Sequence, residues 1–274
     1  MIQTRPWAVA AILAASTAAT PLARAQTVEV FAAGSLRAVV ADLGKETQAA
    51  FHIEIKPTFG GSGSLRERIE KGEKPDLLMS ADVGSPQKLA AQGRTVVPVI
   101  PFARNRMCIV ARRSAGVTPA NLIDHMLTKG VRIRTSTPIV DPSGDYAWAI
   151  FDRIEAMRPG TGAILKEKAQ SAMSATATPA TATQSAAAAL FAANQIDLSI
   201  TYCSATPALQ QELPELTSFA VPPRLDPHPL YGIAVLSDKA EVMRLVLFLL
   251  SDKGQQIIAQ AGLVPLLETA ATPP

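Results

Sequence analysis

Three times between residues 28 and 91 an apolar, strand-like run hands over to a helical spacing, and this repeated handover restricts the fold more than any other property of the chain. Residues 28–32 (VEVFA) form the first strand pattern, and Leu36, Val39, Val40, Leu43, Ala50 and Phe51 then recur near helical spacing. Residues 53–59 alternate as a second strand in which Pro57 marks a strand end, and a helix spacing follows over 65–71. Residues 76–80 are a third strand, after which Ser85 and Pro86 open a helix through Leu89 and Ala91, with proline in a favoured first-turn position. Strands separated by helices return to the same end of a sheet, so an α/β fold with parallel strands and covering helices is predicted.

A second set of elements begins with the strand pattern at 107–111 and continues through 131–133 and a helical spacing over 146–157. Residues 168–189 are biased toward Ala, Ser, Thr, Gln and Met, but the density of Ala, Leu and Phe over 184–194 predicts a loop passing into a helix rather than a linker. A strand follows at 196–202. Pro222, Pro223, Pro227 and Pro229 then impose an extended path, a strand returns at 231–236, and two helices span 240–250 and 253–261. Chain crossings near 102–107 and 222–231 predict two lobes. The first combines residues 26–104 with 230–267, the second spans 105–229, and 268–274 form a frayed tail. Each lobe is expected to be a mostly parallel sheet flanked by helices, with a ligand in the cleft between them.

Residues 1–25 carry Arg5, an apolar run over 7–15 and small residues ending in Ala23-Arg24-Ala25, the pattern of a secretory signal peptide cleaved before Gln26. The apolar run is too short to span a bilayer, and an exported, soluble product is expected. Cleavage removes two arginines and no acidic residue, so the formal charge of +3 falls by two. The mature surface is then near neutral, which argues against nucleic acid or anionic lipid as a partner. Cys108 and Cys203 are the two cysteines; they pair in an oxidising compartment or remain as two buried thiols. His52, His125 and His228 are scattered without metal-ligand spacing.

Two strand-to-helix junctions are chemically distinctive. Residues 32–36 (AAGSL) and 60–65 (GGSGSL) each bring small residues, backbone N–H groups and serine hydroxyls to a helix start. The first four N–H groups of a helix lack intrahelical partners and carry the positive end of its dipole, so paired junctions of this kind make an anion site that needs no fixed cation.

Several segments together carry a family resemblance. Residues 30–36 (VFAAGSL) are similar to a VFAAxSL motif, 59–65 (FGGSGSL) to F-small-small-S-small-S/T-L, and 75–82 (PDLLMSAD) to PADxFxSAD. Asp141-Pro142 precedes a helix, residues 200–202 (ITY) end a strand as an IVY motif does, and 231–235 (YGIAV) are similar to a returning YPVAV strand. Over nearly the whole mature chain it resembles the periplasmic molybdate-binding proteins of ABC transporters, with the two-lobed type II (Venus flytrap) fold. The resemblance implies a monomeric, non-catalytic periplasmic carrier that binds molybdate or tungstate without a cofactor and delivers it to an inner-membrane permease. It implies donors at Ser35 and Ser62 from lobe one, and at Ala147, Gln184 (or its neighbour Ser185) and the Tyr202 hydroxyl from lobe two. Residues 141–148 (DPSGDYAW) are closer to the DP-x-GY pattern of related tungstate and molybdate binders, which offers Tyr146 or Ser143 in place of Ala147.

Chemistry agrees with that set. Molybdate is a deprotonated tetrahedral dianion at neutral pH, so its oxygens only accept, and hydroxyls and amides suit it. A carboxylate facing it would repel it, so Asp141 and Asp145 are expected as helix caps or outward-facing groups. The same fold could hold sulfate, phosphate, ferric iron or a small organic acid instead. Residues 60–64 (GGSGS) approach the GxSxG pattern of serine hydrolases, but end in serine and lack a recognisable histidine and acid.

Overall fold

The computed structural model describes residues 26–173 and 185–266; the expected signal peptide, Gln184 and the tail at 268–274 lie outside the described residues. In lobe one, β1 (Gln26–Ala33) leads through a short 3-10 turn into α1 (Arg37–Phe51), followed by β2 (Ile53–Gly60), α2 (Ser62–Glu70), β3 (Leu77–Ser80), α3 (Gly84–Ala91) and β4 (Ile100–Arg104). Lobe two contains β5 (Met107–Arg112), α4 (Leu122–Leu127), β6 (Ile133–Arg134), α5 (Pro142–Met157), α6 (Thr161–Met173), α7 (Ala186–Ala192), β7 (Leu198–Tyr202), α8 (Thr206–Glu212) and β8 (Leu216–Ala220). The chain then returns to lobe one as β9 (Leu230–Val235), α9 (Ala240–Leu250), α10 (Asp252–Gln260) and β10 (Val264–Pro265).

Strand periodicity sorts the lobe-one core onto two faces. Val28, Val30 and Ala32 of β1 pack with Val39, Val40 and Leu43 of α1 and with Val242, Leu245 and Ile258 from α9 and α10. Phe31, of opposite parity, packs on the other face with Leu78, Leu65 and Ile69 of α2 and Leu89 of α3. Pro57 is tolerated because β2 is an edge strand, paired only with β1.

The sheets run β10-β4-β9-β3-β1-β2 and β6-β7-β5-β8. The α/β class and the two-lobed type II fold hold, but the sheets are mixed rather than mostly parallel. β1 is parallel to β2 and β3, and β6 to β7, whereas β9 is antiparallel to β3 and β4, β10 to β4, and β5 to β7 and β8. A strand arriving from the other lobe starts at the cleft, where β1, β2, β3 and β7 end. Each sheet inserts that arriving strand, β9 or β5, between two strands running the other way, which makes both flanking pairings antiparallel.

The two crossings are tied together. Between β4 and β5, the Asn105 backbone N–H donates to the Pro229 carbonyl of the returning crossing at 2.9 Å. The buried Asn105 side chain donates through Nδ2 to Ser204 Oγ at 2.9 Å and to the Tyr231 hydroxyl at 3.1 Å, and its Oδ1 accepts from the Arg106 N–H.

Candidate binding cleft

A cleft of about 280 Å³ opens between the lobes, lined by Ala33, Gly34, Ser35, Gly60, Gly61 and Ala81 from lobe one and by Ser136, Asp141, Ser143, Thr201, Tyr202 and Ala205 from lobe two. These positions follow β1, β2 and β3 or surround the end of β7 and the start of α5. Ligands of α/β sheets collect at the carboxyl ends of strands. Larger hollows of about 470 and 520 Å³ lie at Asp76–Arg94–Asp238 and at Arg132–Lys168, away from these junctions. Among the described residues lining the cleft there is no lysine, arginine or histidine.

On the lobe-one side, Gly61 is the N-cap of α2 and supplies no side-chain cap. The Ser62 hydroxyl therefore serves elsewhere: wholly buried behind Gly61, its Oγ accepts from the Ala81 N–H at 3.0 Å and keeps its own hydrogen to donate. Ser35 Oγ lies 3.0 Å from the Tyr231 hydroxyl, which accepts from Asn105 Nδ2. Because an amide nitrogen can only donate, Tyr231 has its hydrogen to give to Ser35, and Ser35 then has its own for the cleft.

From lobe two, the Tyr202 hydroxyl is buried without a hydrogen-bond partner; Tyr231 is close enough to feel it, but the pair lacks hydrogen-bond geometry. The three tyrosines of the chain meet here at steep angles, with the Tyr202 ring centroid 6.3 Å from that of Tyr146, edge-on, and 5.8 Å from that of Tyr231, tilted. Burial is the main cause holding each phenol above its ordinary range, to about 12 for Tyr231, with Ser35 and Asn105 pulling against it there. At neutral pH all three remain neutral O–H donors.

Asp141 caps α5, accepting from the Ser143 N–H at 2.9 Å, with Pro142 in the first turn. It also lines the cleft, so the expectation of a cap is met but not that of a carboxylate kept away from the ligand space. Burial raises its pKa, opposed by the Ser143 and Ser136 hydrogen bonds. Asp145 is exposed and accepts from the Ile139 N–H at 2.8 Å. Gly144 is required beside it, since a Cβ there would sit 2.4 Å from the Ser136 carbonyl oxygen.

Of the five residues singled out from the sequence, Ser35 and Tyr202 line the cleft and Ser62 stands directly behind its wall. Ala147 is not brought there. It sits in the second turn of α5, wholly buried in the core, where an N–H is committed to the helical ladder, and Ser143 occupies the lining instead. Gln184 lies outside the described residues. Its neighbour Ser185 is engaged elsewhere, its N–H on Glu212 at 2.8 Å and its hydroxyl capping α7. Ser136 and Thr201 line the cleft without having been singled out; Thr201 stands within the ITY segment, where the tyrosine drew the reading, and Ser136 in no distinctive local motif.

Cys108 and Cys203 are joined in a disulfide with Cα atoms 4.8 Å apart. Cys203 directly follows Tyr202, and Tyr202 pairs across the sheet with Met107, the neighbour of Cys108. The bridge thus pins the end of β7 that presents the phenol.

With this two-lobed, crossed topology in place, a family match over residues 28–264 decides the class. The chain belongs to the bacterial extracellular solute-binding protein family. This solute-binding protein is 32% identical over 244 residues to an uncharacterized protein of Pasteurella multocida, covering 88% of this chain and 99% of the relative. It is also 32% identical over 98 residues to the molybdate-binding protein ModA of Mycobacterium bovis, a stretch that covers 35% of this chain and 38% of that protein. Among solved structures it is similar to the Mycobacterium tuberculosis sulfate-binding protein SubI (TM-score 0.71, 16% identity, 88% and 87% of the two chains). A second is the Azotobacter vinelandii periplasmic molybdate-binding protein (TM-score 0.67, 17% identity, 86% and 98%). These likenesses define the fold of the solute-binding protein. An extracytoplasmic location follows from the family, and no helix among the described residues is long and apolar enough to cross a membrane.

Proposed function

We propose that this protein is the periplasmic carrier of an ABC importer, that it closes its lobes over molybdate or tungstate, and that it hands the anion to an inner-membrane permease without chemical change. The observation that carries this reading is the Tyr202 hydroxyl, buried and unpartnered at the edge of a cleft with no cation among the described residues that line it. An unsatisfied buried hydroxyl is costly, and a ligand that only accepts hydrogen bonds removes that cost. Ser35, the Ser62 hydroxyl behind Gly61 and those N–H groups at the start of α2 that the Val140 carbonyl does not take add donors from the opposite lobe. A tetrahedral dianion then bridges both lobes and stabilises the closed arrangement. The partial likeness to the mycobacterial molybdate-binding protein supports the same ligand class.

Ferric iron is a poorer fit because Tyr202 is the one phenol and Asp141 the one carboxylate among the described residues that line the cleft. A serine hydrolase is poorer still: Ser62 accepts from a backbone N–H, and no histidine is among the described residues that line the cleft. Sulfate shares the donor requirements, and cavity size separates it from the larger anions. A thermal-shift panel of molybdate, tungstate, sulfate, phosphate, ferric citrate and acetate tests the proposal. A rise in Tm with molybdate or tungstate at the lowest concentrations is expected, and a rise with ferric citrate or acetate alone would overturn it.

A further inference from the structure

The cleft contains one feature that a cage of neutral donors does not explain. Asp141 is the one charged side chain among the described residues that line it, and it enters from lobe two beside Ser136 and Ser143. One of its oxygens is committed to the Ser143 N–H at 2.9 Å, and no cation among the described residues pairs with it.

The titratable groups around it deepen the problem. Asp82, between β3 and α3, adds negative charge from lobe one, its carboxylate already accepting from Ser80 and Ser85. Asp145, one turn along α5, adds more, and Lys88 is the cation that acts on Asp145. Tyr202, Tyr231 and Tyr146, on β7, β9 and α5, stay neutral. A dianion entering about 280 Å³ of space would therefore meet an ionised carboxylate that only the Ser143 and Ser136 hydrogen bonds compensate.

We propose that the cleft takes its oxyanion together with one proton from solvent, and that Asp141 holds that proton, changing from an acceptor that faces the ligand into a donor. The proton forms an O–H bond on the carboxyl oxygen not used by Ser143, and that O–H donates to an anion oxygen; no other bond changes. The inference rests on the oxyanion reading above. The free protein is already partway there, since burial, with Asp82 adding to it, raises the Asp141 carboxyl above its ordinary range. The capping role survives protonation, because the second oxygen still accepts from Ser143.

Linkage sets the sign. If the complex binds one more proton than the free protein, affinity falls as pH rises, by up to about tenfold per pH unit where Asp141 is ionised when free and protonated when bound. Asp141→Asn keeps an N-cap acceptor and offers an uncharged N–H donor, so it should bind molybdate with little pH dependence and overtake the wild type at the alkaline end.

The test is calorimetry of the mature protein with molybdate between about pH 6 and pH 8, in buffers of different ionisation enthalpy, which reports proton uptake directly. Uptake approaching one proton in the wild type, abolished in D141N and retained in D145N, is the expected result. Wild-type binding without proton uptake overturns the inference and leaves the carrier reading intact, and it does so even if D141N fails to fold. Uptake lost in D145N but kept in D141N overturns the assignment to Asp141. If molybdate, tungstate, sulfate and phosphate all fail to bind the wild type, the carrier reading falls and this inference falls with it.

Discussion

The backbone N–H of Ser64, in the first turn of α2, donates to the Val140 carbonyl of the opposite lobe at 3.3 Å. This bond can form only because two glycines let the chains meet. A Cβ on Gly63 would lie 1.8 Å from the Ile139 carbonyl oxygen, and one on Gly61 2.3 Å from that of Val140. Ile139 is held at φ +72, in the left-handed region, with its N–H on Asp145. The arrangement is a closed one, with the start of α2 shared between a lobe-two carbonyl and the cleft.

Gly63→Ala should therefore hold the lobes apart. Helix propensity alone favours alanine by about 1 kcal/mol, so any loss reflects the clash rather than α2 itself. Small-angle scattering should show a more extended particle, and molybdate affinity should drop by about tenfold or more, roughly 1.4 kcal/mol. Unchanged affinity would show that the closed contact is not needed for capture.

Tyr202→Phe separates a ligand donor from a structural tyrosine. Removing a buried hydroxyl that has no partner should leave the Tm of the ligand-free protein unchanged or slightly higher. Anion affinity should fall by about 1–3 kcal/mol in the same variant. A lowered ligand-free Tm with intact binding would assign the hydroxyl to the fold.

The Cys108–Cys203 bridge closes a loop across 95 residues and anchors the strand end that carries Tyr202. Replacing both cysteines with serine should cost about 2–4 kcal/mol in denaturant unfolding. Weaker anion binding should accompany it as the phenol loses its fixed position. Equal stability with and without reductant would remove the bridge from this role.

Asp197 is gripped by Arg132, whose Nε and Nη2 donate to the two carboxylate oxygens at 2.9 and 2.8 Å and whose backbone N–H adds a third bond at 2.8 Å. The Arg132 side-chain bond is the first cause of the lowered Asp197 pKa. A carboxyl with a lower pKa in the folded than in the unfolded chain contributes stability that is present above the unfolded value and lost as pH falls through the folded one. Melting curves taken down through the carboxylate range should thus show a steeper acid loss for wild type than for Asp197→Asn. Parallel acid limbs would exclude the pair.

Local patterns along the chain already spell out the strand-to-helix handovers over 28–91, the two serine-glycine junctions, the proline-lined crossing and the strand ending in Tyr202. Each depends on side-chain periodicity or on helix-end chemistry within about a dozen residues, so each is readable without the fold. The remaining features depend on how the chain packs. β9 and β5 are antiparallel to their neighbours because the direction of a strand depends on which lobe it arrives from. Ser62 turns to Ala81 because β3 ends there, and Ala147 is withdrawn because α5 begins early enough to bury its second turn. Asp141 reaches the cleft because packing, rather than capping preference, sets which way the start of a helix faces. Ser35 and Tyr231 meet only after the chain has crossed to lobe two and returned, and Cys108 and Cys203 only once β5 and β7 pair within lobe two, and no local pattern records either distance.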